Sequence, residues 1–224
     1  MDKSRGLFMN RSGDTAEILI YEQIGLDPWD GTGIGAKQFA MDLKGLGKVD
    51  SILLKINSPG GDVFEGETIY NELKDHPAKI NVRVMGLAAS IASLIAMASD
   101  TIEMQDNSKM MIHKAWSIAI GNSDDMRKTA GVLDTVDEAL VSVYEARTGQ
   151  KASQIRQWMS DETWMVAKDA VARGFADSIV PAKEKVAAQF KLLKAFKNAP
   201  AEEEKEPDGI IERMRMRLQL AKAG

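Results

Sequence analysis

What most constrains this chain is the alternation of two hydrophobic rhythms along its first half. "AEILIYEQI", Ala16 to Ile24, alternates at a period of two and is rich in β-branched residues, so it predicts a strand. After the turn-rich "GLDPWDGTGIG", the segment "AKQFAMDLKGLG" places Phe39, Leu43 and Leu46 on one helical face and is stopped by glycines. A second strand, Val49 to Ile56, runs into a Pro-Gly-Gly turn. "VFEGETIYNELKDHP" returns to helical spacing through Val63, Ile69, Tyr70 and Leu73 and must end at Pro77. "KINVRVMG" is a third strand, and Gly86 to Asp100 reads as a helix of small and apolar residues with Ser90 in its first turn. Strand, helix, strand, helix, strand specifies an α/β fold with a mostly parallel sheet covered by helices.

Two short strands, "DTIEMQ" and "SKMMIHKAW", are expected next, then a long amphipathic helix from Asp124 to Arg147, and finally a helix, a Gly stop and a strand in "VAKDAVARGFADSIV". Beyond Pro181 the character changes to two short helical patterns around the acidic linker "PAEEEKEPD". The expected organisation is a flexible segment 1–15, one domain over 16–181 and a charged helical extension over 182–224. That extension reads equally as a solvated appendage or as a docking arm.

Composition removes several function classes. The chain has no cysteine, which excludes a disulfide framework, a thiolate zinc site and a cysteine nucleophile. A formal net charge of -4 argues against nucleic acid as the main partner. The most apolar segment, Val84 to Ala98, is too short to span a bilayer, and "MDKSRGLFMNRSGD" lacks the apolar core of a secretion signal. Residence in the cytoplasm is the expectation.

The chemistry rests on three positions. Ser90, at a strand-to-helix turn, suits either a helix cap or a nucleophile whose product charge is stabilised nearby. A serine that needs an imidazole base has only His76 and His113 to choose from. His76 stands at a helix end before Pro77 and reads as surface, whereas His113 lies in the apolar run "MMIHKAW". The turn "INSPGGD" ends a parallel strand, where open α/β sheets place their sites, and adjacent glycines let N–H groups face one concavity. It reads as a strand-ending turn or as an oxyanion pocket. Ser93 reads as small-residue packing, Ser58 as turn chemistry and Ser99 as a helix end.

Taken in order, "INSPGGDVFEGETIYNEL", "GLAASIASLIAMAS", "MMIHKA", "RTGQKASQI" and "DETWMVAKDAVARGFADSIV" resemble the blocks of the Clp-type proteolytic subunit family of serine peptidases, from about Ala16 to Pro181. The wording is closest to the branch found in tailed phages and prophages. The resemblance implies a crotonase-like spiral of ββα units. It also implies Ser90 as nucleophile, His113 as general base, and an oxyanion hole from Gly61, with Gly60 adjacent, and Ile91. Counting back from Gly174 by the family's spacing lands the third catalytic member on Glu162, with Asp161 beside it as the alternative. No metal or cofactor is implied. The partners implied are further copies of the chain in a ring, stacked through the long helix, and protein substrates in an internal chamber. Capsid or scaffold processing during phage head maturation is the leading expectation. The alternatives are a degradative chamber working with an ATP-driven unfoldase and an inactive assembly scaffold. From outside the peptidases, a crotonase-type acyl-CoA enzyme shares the paired N–H pocket but needs no serine and histidine.

Overall fold

The computed structural model describes residues 6–27, 31–181 and 197–198. In chain order it contains β1 (Leu7–Ser12), β2 (Thr15–Ile20), β3 (Gly25–Leu26), β4 (Gly33–Ile34), α1 (Ala36–Gly45), β5 (Ser51–Ser58), α2 (Val63–Asp75), β6 (Lys79–Ala89) and α3 (Ile91–Ala96). There follow β7 (Thr101–Gln105), β8 (Lys109–Ile112), α4 (Ser123–Thr148), α5 (Ala152–Ser160), β9 (Thr163–Val166), α6 (Ala167–Ala172) and β10 (Ser178–Val180). This is the α/β architecture the rhythm of the sequence specifies.

Eight strands form one sheet in the order β1-β2-β5-β6-β7-β10, with β8 joined to β6 and β9 joined to β8. The β2–β5, β5–β6, β6–β7, β6–β8 and β7–β10 pairs are parallel, whereas β1–β2 and β8–β9 are antiparallel. The long β6 changes partner: Asn81 to Val84 pair with β7, and Leu87 to Ala89 pair with β8. That exchange turns the sheet and brings the ends of β5, β6 and β8 to one edge.

Sequence explains the local structure. The inward residues Ile52, Leu54 and Ile56 of β5 and Val82 and Val84 of β6 are fully buried, and each large aliphatic side chain contributes about 2 kcal/mol by leaving water. Asp62 caps α2 by accepting from the Glu65 N–H at 3.0 Å, and the helix stops two residues before Pro77. Asn122 begins α4 with a reciprocal capping box, and Gly149 ends it in the left-handed region, φ 67°. Among the described residues no helix is long and apolar enough to cross a membrane.

Several expectations need correction. The helix expected over Gly86–Asp100 is only Ile91–Ala96, because Ala88 and Ala89 complete β6 against Met110 and Met111. Small apolar residues suit either state, and the vacant edge of β8 decides it. The first expected strand stops at Ile20, after which Ile24 makes only isolated bridges to Ile34 and Gly61. Val49–Ile56 moves to Ser51–Ser58. Leu7–Ser12, within the expected flexible segment, is an antiparallel edge strand, and α5 and β9 had no counterpart in the sequence reading. The helical patterns expected over 182–224 lie outside the described residues, Lys197 and Asn198 apart.

Candidate active site

Three parallel strands deliver the site. Ser58 at the end of β5 pairs with Ala88, and Ala89 at the end of β6 pairs with Met111 in β8. Each strand then leaves the sheet at the same edge: β5 into the Pro59-Gly60-Gly61 turn, β6 into Ser90, and β8 into His113.

Ser90 donates its N–H to the Met111 carbonyl at 2.9 Å, which extends the ladder by one bond. Its backbone then turns abruptly to φ 53°, ψ −131°, a conformation that L-residues rarely adopt. The side chain makes no capping bond to α3. Instead its Oγ lies 2.8 Å from His113 Nε2. Of the two ordinary uses of a serine at such a turn, the structure therefore has the hydroxyl committed to an imidazole and not to the helix start. His76 sits elsewhere in a structural role, its Nδ1 accepting the Ala78 N–H at 3.1 Å.

Burial pushes the His113 imidazole below the usual histidine range, and the negative charge of Glu162 opposes that shift. The position of Glu162 follows from strand register. Ile112 pairs with Thr163 at the last rung of β8–β9, so the next residues, His113 and Glu162, face each other beyond the ladder. Glu162 has φ 49°, and its Oε1 accepts from the Trp164 indole N–H at 3.1 Å. Asp161 is turned outward, its two oxygens accepting from Gln157 Nε2 at 2.9 and 3.0 Å. Of the two candidate carboxylates, the structure brings Glu162 to the imidazole.

The glycine turn abuts the serine. A Cβ placed on Gly60, φ 90°, would stand 2.7 Å from Ser90 Cβ and 3.2 Å from the Ile91 nitrogen, so only glycine permits this approach. The Gly60 N–H donates to Ser58 Oγ at 3.2 Å. By contrast, the N–H groups of Gly61 and Ile91 donate to no acceptor among the described residues. The expected trio thus divides: Gly61 and Ile91 offer free donors beside Ser90, and Gly60 supplies shape.

A cleft of about 300 Å³ opens from Ser90 and His113, walled by Val63 and Phe64 of α2, Trp116, and Val132 and Leu133 of α4. Sequence reasoning missed these walls, although Phe64 falls off the buried Ile69–Leu73 face of α2. It also underrated Ser93. That side chain is fully buried, with Oγ donating to the Ser90 carbonyl at 2.6 Å and lying 2.8 Å from the Tyr144 hydroxyl. Ser58 and Ser99 make the local turn and helix-end bonds expected of them. Among the described residues no three His, Asp or Glu side chains converge as a metal-binding group.

The chain is similar to known proteins in sequence and in fold. A family model described as Clp protease matches residues 36–183. The ATP-dependent Clp protease proteolytic subunit 1 of Protochlamydia amoebophila is 27% identical over 177 residues, covering 77% of this chain and 84% of that protein. A proteolytic subunit from Ligilactobacillus salivarius is 31% identical over 137 residues, covering 60% and 70%. One from Deinococcus radiodurans is 28% identical over 131 residues, covering 58% and 64%. Among solved structures, a ClpP1 mutant from Listeria monocytogenes superposes with a TM-score of 0.64 at 23% identity, covering 76% of this chain and 92% of that one, which speaks for the fold. With residues 36–183 matched by the family model and relatives aligned over most of its length, this chain belongs to the Clp protease family of serine peptidases.

Proposed function

We propose that this chain is an endopeptidase that cleaves peptide bonds through Ser90, His113 and Glu162. The single observation that carries the reading is the 2.8 Å approach of Ser90 Oγ to His113 Nε2 at the mouth of an apolar cleft. His113 takes the hydroxyl proton as Oγ attacks the peptide carbonyl carbon, and the carbonyl oxygen becomes an oxyanion held by the Gly61 and Ile91 N–H groups. As the C–N bond breaks, the imidazolium returns that proton to the leaving amine. Water then attacks the acyl-enzyme with the same base assisting and releases the acid product. Glu162 fixes the tautomer and stabilises the charged ring. A neutral imidazole is required to start, and burial of His113 favours it.

A fluorophosphonate probe followed by peptide mass spectrometry tests this. One adduct is expected, on Ser90, absent in Ser90→Ala and strongly reduced in His113→Ala. Unmodified Ser90 in an enzyme that still cleaves peptides would overturn the assignment.

The working form in this reading is a homo-oligomeric ring acting on protein substrates. Family membership supports it, as do Trp116, Ile118 and Ile120, which are 54%, 83% and 95% exposed on alternate positions of one segment, an unusual display unless another surface covers it. Light scattering on the purified chain measures the assembly. The wording of the motifs favours processing of capsid or scaffold proteins in phage head maturation, whereas the relatives' names, ATP-dependent Clp protease proteolytic subunits, favour ATP-dependent proteolysis, for which an unfoldase partner is the second reading. Limited cleavage of a co-expressed capsid or scaffold protein at defined bonds, without ATP, supports the first. ATP-dependent destruction of a stably folded substrate supports the second.

A further inference from the structure

Glu162 is held from a distant part of the chain. The backbone N–H of Lys197 donates to its Oε2 at 2.8 Å, and that of Asn198 donates to its Oε1 at 2.5 Å. The Asn198 side-chain amide donates to the neighbouring Asp161 carbonyl at 3.0 Å. With the Trp164 indole N–H at 3.1 Å, the carboxylate accepts from three donors among the described residues, one two positions along the chain and two from residues 35 and 36 positions downstream. His113, Lys114, Asp161, Glu162, Lys197 and Asn198 line one shared hollow, and His113 borders both this hollow and the cleft.

A glutamate has three side-chain torsions, and left unheld on a turn it samples many of them, so ordering it costs conformational entropy. An acid that must orient an imidazole cannot wander. We propose that Lys197 and Asn198 are positioning residues, a backbone clamp that fixes the Glu162 carboxylate beside His113 and makes the chemistry depend on the C-terminal extension. The inference rests on the reading of Ser90, His113 and Glu162 as the reacting group. It assigns the extension a task inside its own subunit. Two adjacent amides reaching both oxygens of one carboxylate recognise that group by geometry, and charge-assisted bonds of this kind are the stronger class. Among the described residues, the charged groups lining the two openings that His113 borders are Glu162 and Asp161 on the α5–β9 turn, Lys114 next in the chain, Lys197, and Asp62 across the cleft, with Asp137 of α4 lying 4.0 Å from the Lys114 ammonium.

The test is Asn198→Pro in the full-length protein, which removes one clamp N–H, beside Asn198→Ala, which keeps that N–H and loses only the bond to Asp161. Asn198→Pro is expected to lower kcat about tenfold with KM unchanged, since a misplacement of about 1 Å at the reacting group costs up to a hundredfold. It also moves the acidic limb of kcat/KM to lower pH, because a carboxylate that drifts away no longer raises the proton affinity of His113. Asn198→Ala loses less. In a Glu162→Gln background, Asn198→Pro causes no further loss, as the two act through one group. Wild-type kcat and pH profile in Asn198→Pro, equal losses in the Pro and Ala variants, or an undiminished loss in the Glu162→Gln background would each overturn the clamp. Peptidase activity surviving in Ser90→Ala would instead remove the underlying site and the clamp with it.

Discussion

Replacing Gly61 with alanine tests the oxyanion pocket at its most constrained point. A Cβ at this position would lie 2.0 Å from the Ile24 carbonyl oxygen and 2.9 Å from the Ile24 nitrogen and carbonyl carbon, at a backbone φ of 148°. Those neighbours are backbone atoms, so no side-chain rotation relieves the overlap. Relief takes a shift of roughly 1 Å or more to reach ordinary contact distance. The turn is tied to Ile24 by two bonds, Ile24 N–H to the Gly60 carbonyl at 2.8 Å and Asp62 N–H to the Ile24 carbonyl at 2.9 Å, and the shift weakens both. Two hydrogen bonds at about 1 kcal/mol each give roughly 2 kcal/mol of destabilisation, or a fall in Tm of about 4–8 °C for a chain of this size. The larger effect falls on turnover. Moving the Gly61 N–H off the oxyanion costs about 3–4 kcal/mol of barrier, a hundredfold or more in kcat, with KM little changed because the donor acts in the transition state. A fluorogenic peptide assay and thermal melts on the same preparation separate the two losses. Gly13→Ala is the control: its φ of 61° imposes backbone strain, but nothing lies within 4 Å, so kcat should hold. A Gly61→Ala enzyme within about threefold of wild-type kcat would refute the assignment of this N–H to the oxyanion.

Further outcomes follow from other contacts. Burial lowers the His113 pKa, so the ring stays neutral to lower pH than a free histidine, and the acidic limb of kcat/KM should fall below about 6.5; a limb above that value would contradict the burial argument. Burial also keeps the Tyr144 hydroxyl protonated, and as Ser93 gives its proton to the Ser90 carbonyl, Tyr144 must donate to Ser93. Tyr144→Phe strands that oxygen and should cost about 1–2 kcal/mol, read as a lower Tm with kcat within about threefold. Phe64→Ser opens the cleft wall and should raise KM about tenfold for peptides with a large apolar residue at the cleaved bond, with small-residue peptides little affected.

The parts of this molecule that sequence made legible are those where one residue type admits one conformation or one face. The helix over Val63–Asp75 is bounded by its own spacing and by Pro77, and α4 is visible from its amphipathic spacing. Where two conformations suit the same residues, neighbours decide. The stretch Leu87–Ala89 reads as helix locally and becomes strand because β8 offers it a partner. The choice between Asp161 and Glu162 is of the same kind. The two carboxylates are neighbours in the chain and differ by one methylene, and the register of the four-residue β9 against β8 sets which one meets the imidazole. Ser90 and His113 are 23 residues apart in the chain, and only the change of partner along β6 makes them neighbours. The clamp on Glu162 left no trace in composition, because it is made by main-chain groups that every residue but proline carries.

The left-handed backbone of Ser90 bears on how an inert form of this protein should be made. Alanine removes the hydroxyl but inherits a torsion that disfavours any β-carbon, whereas glycine occupies it at ease and should unfold at a higher temperature than either. For capturing an uncleaved guest polypeptide, Ser90→Gly is then the sturdier vessel, and its margin over Ser90→Ala reports directly how much conformational tension the native elbow sustains to keep its oxygen aimed outward.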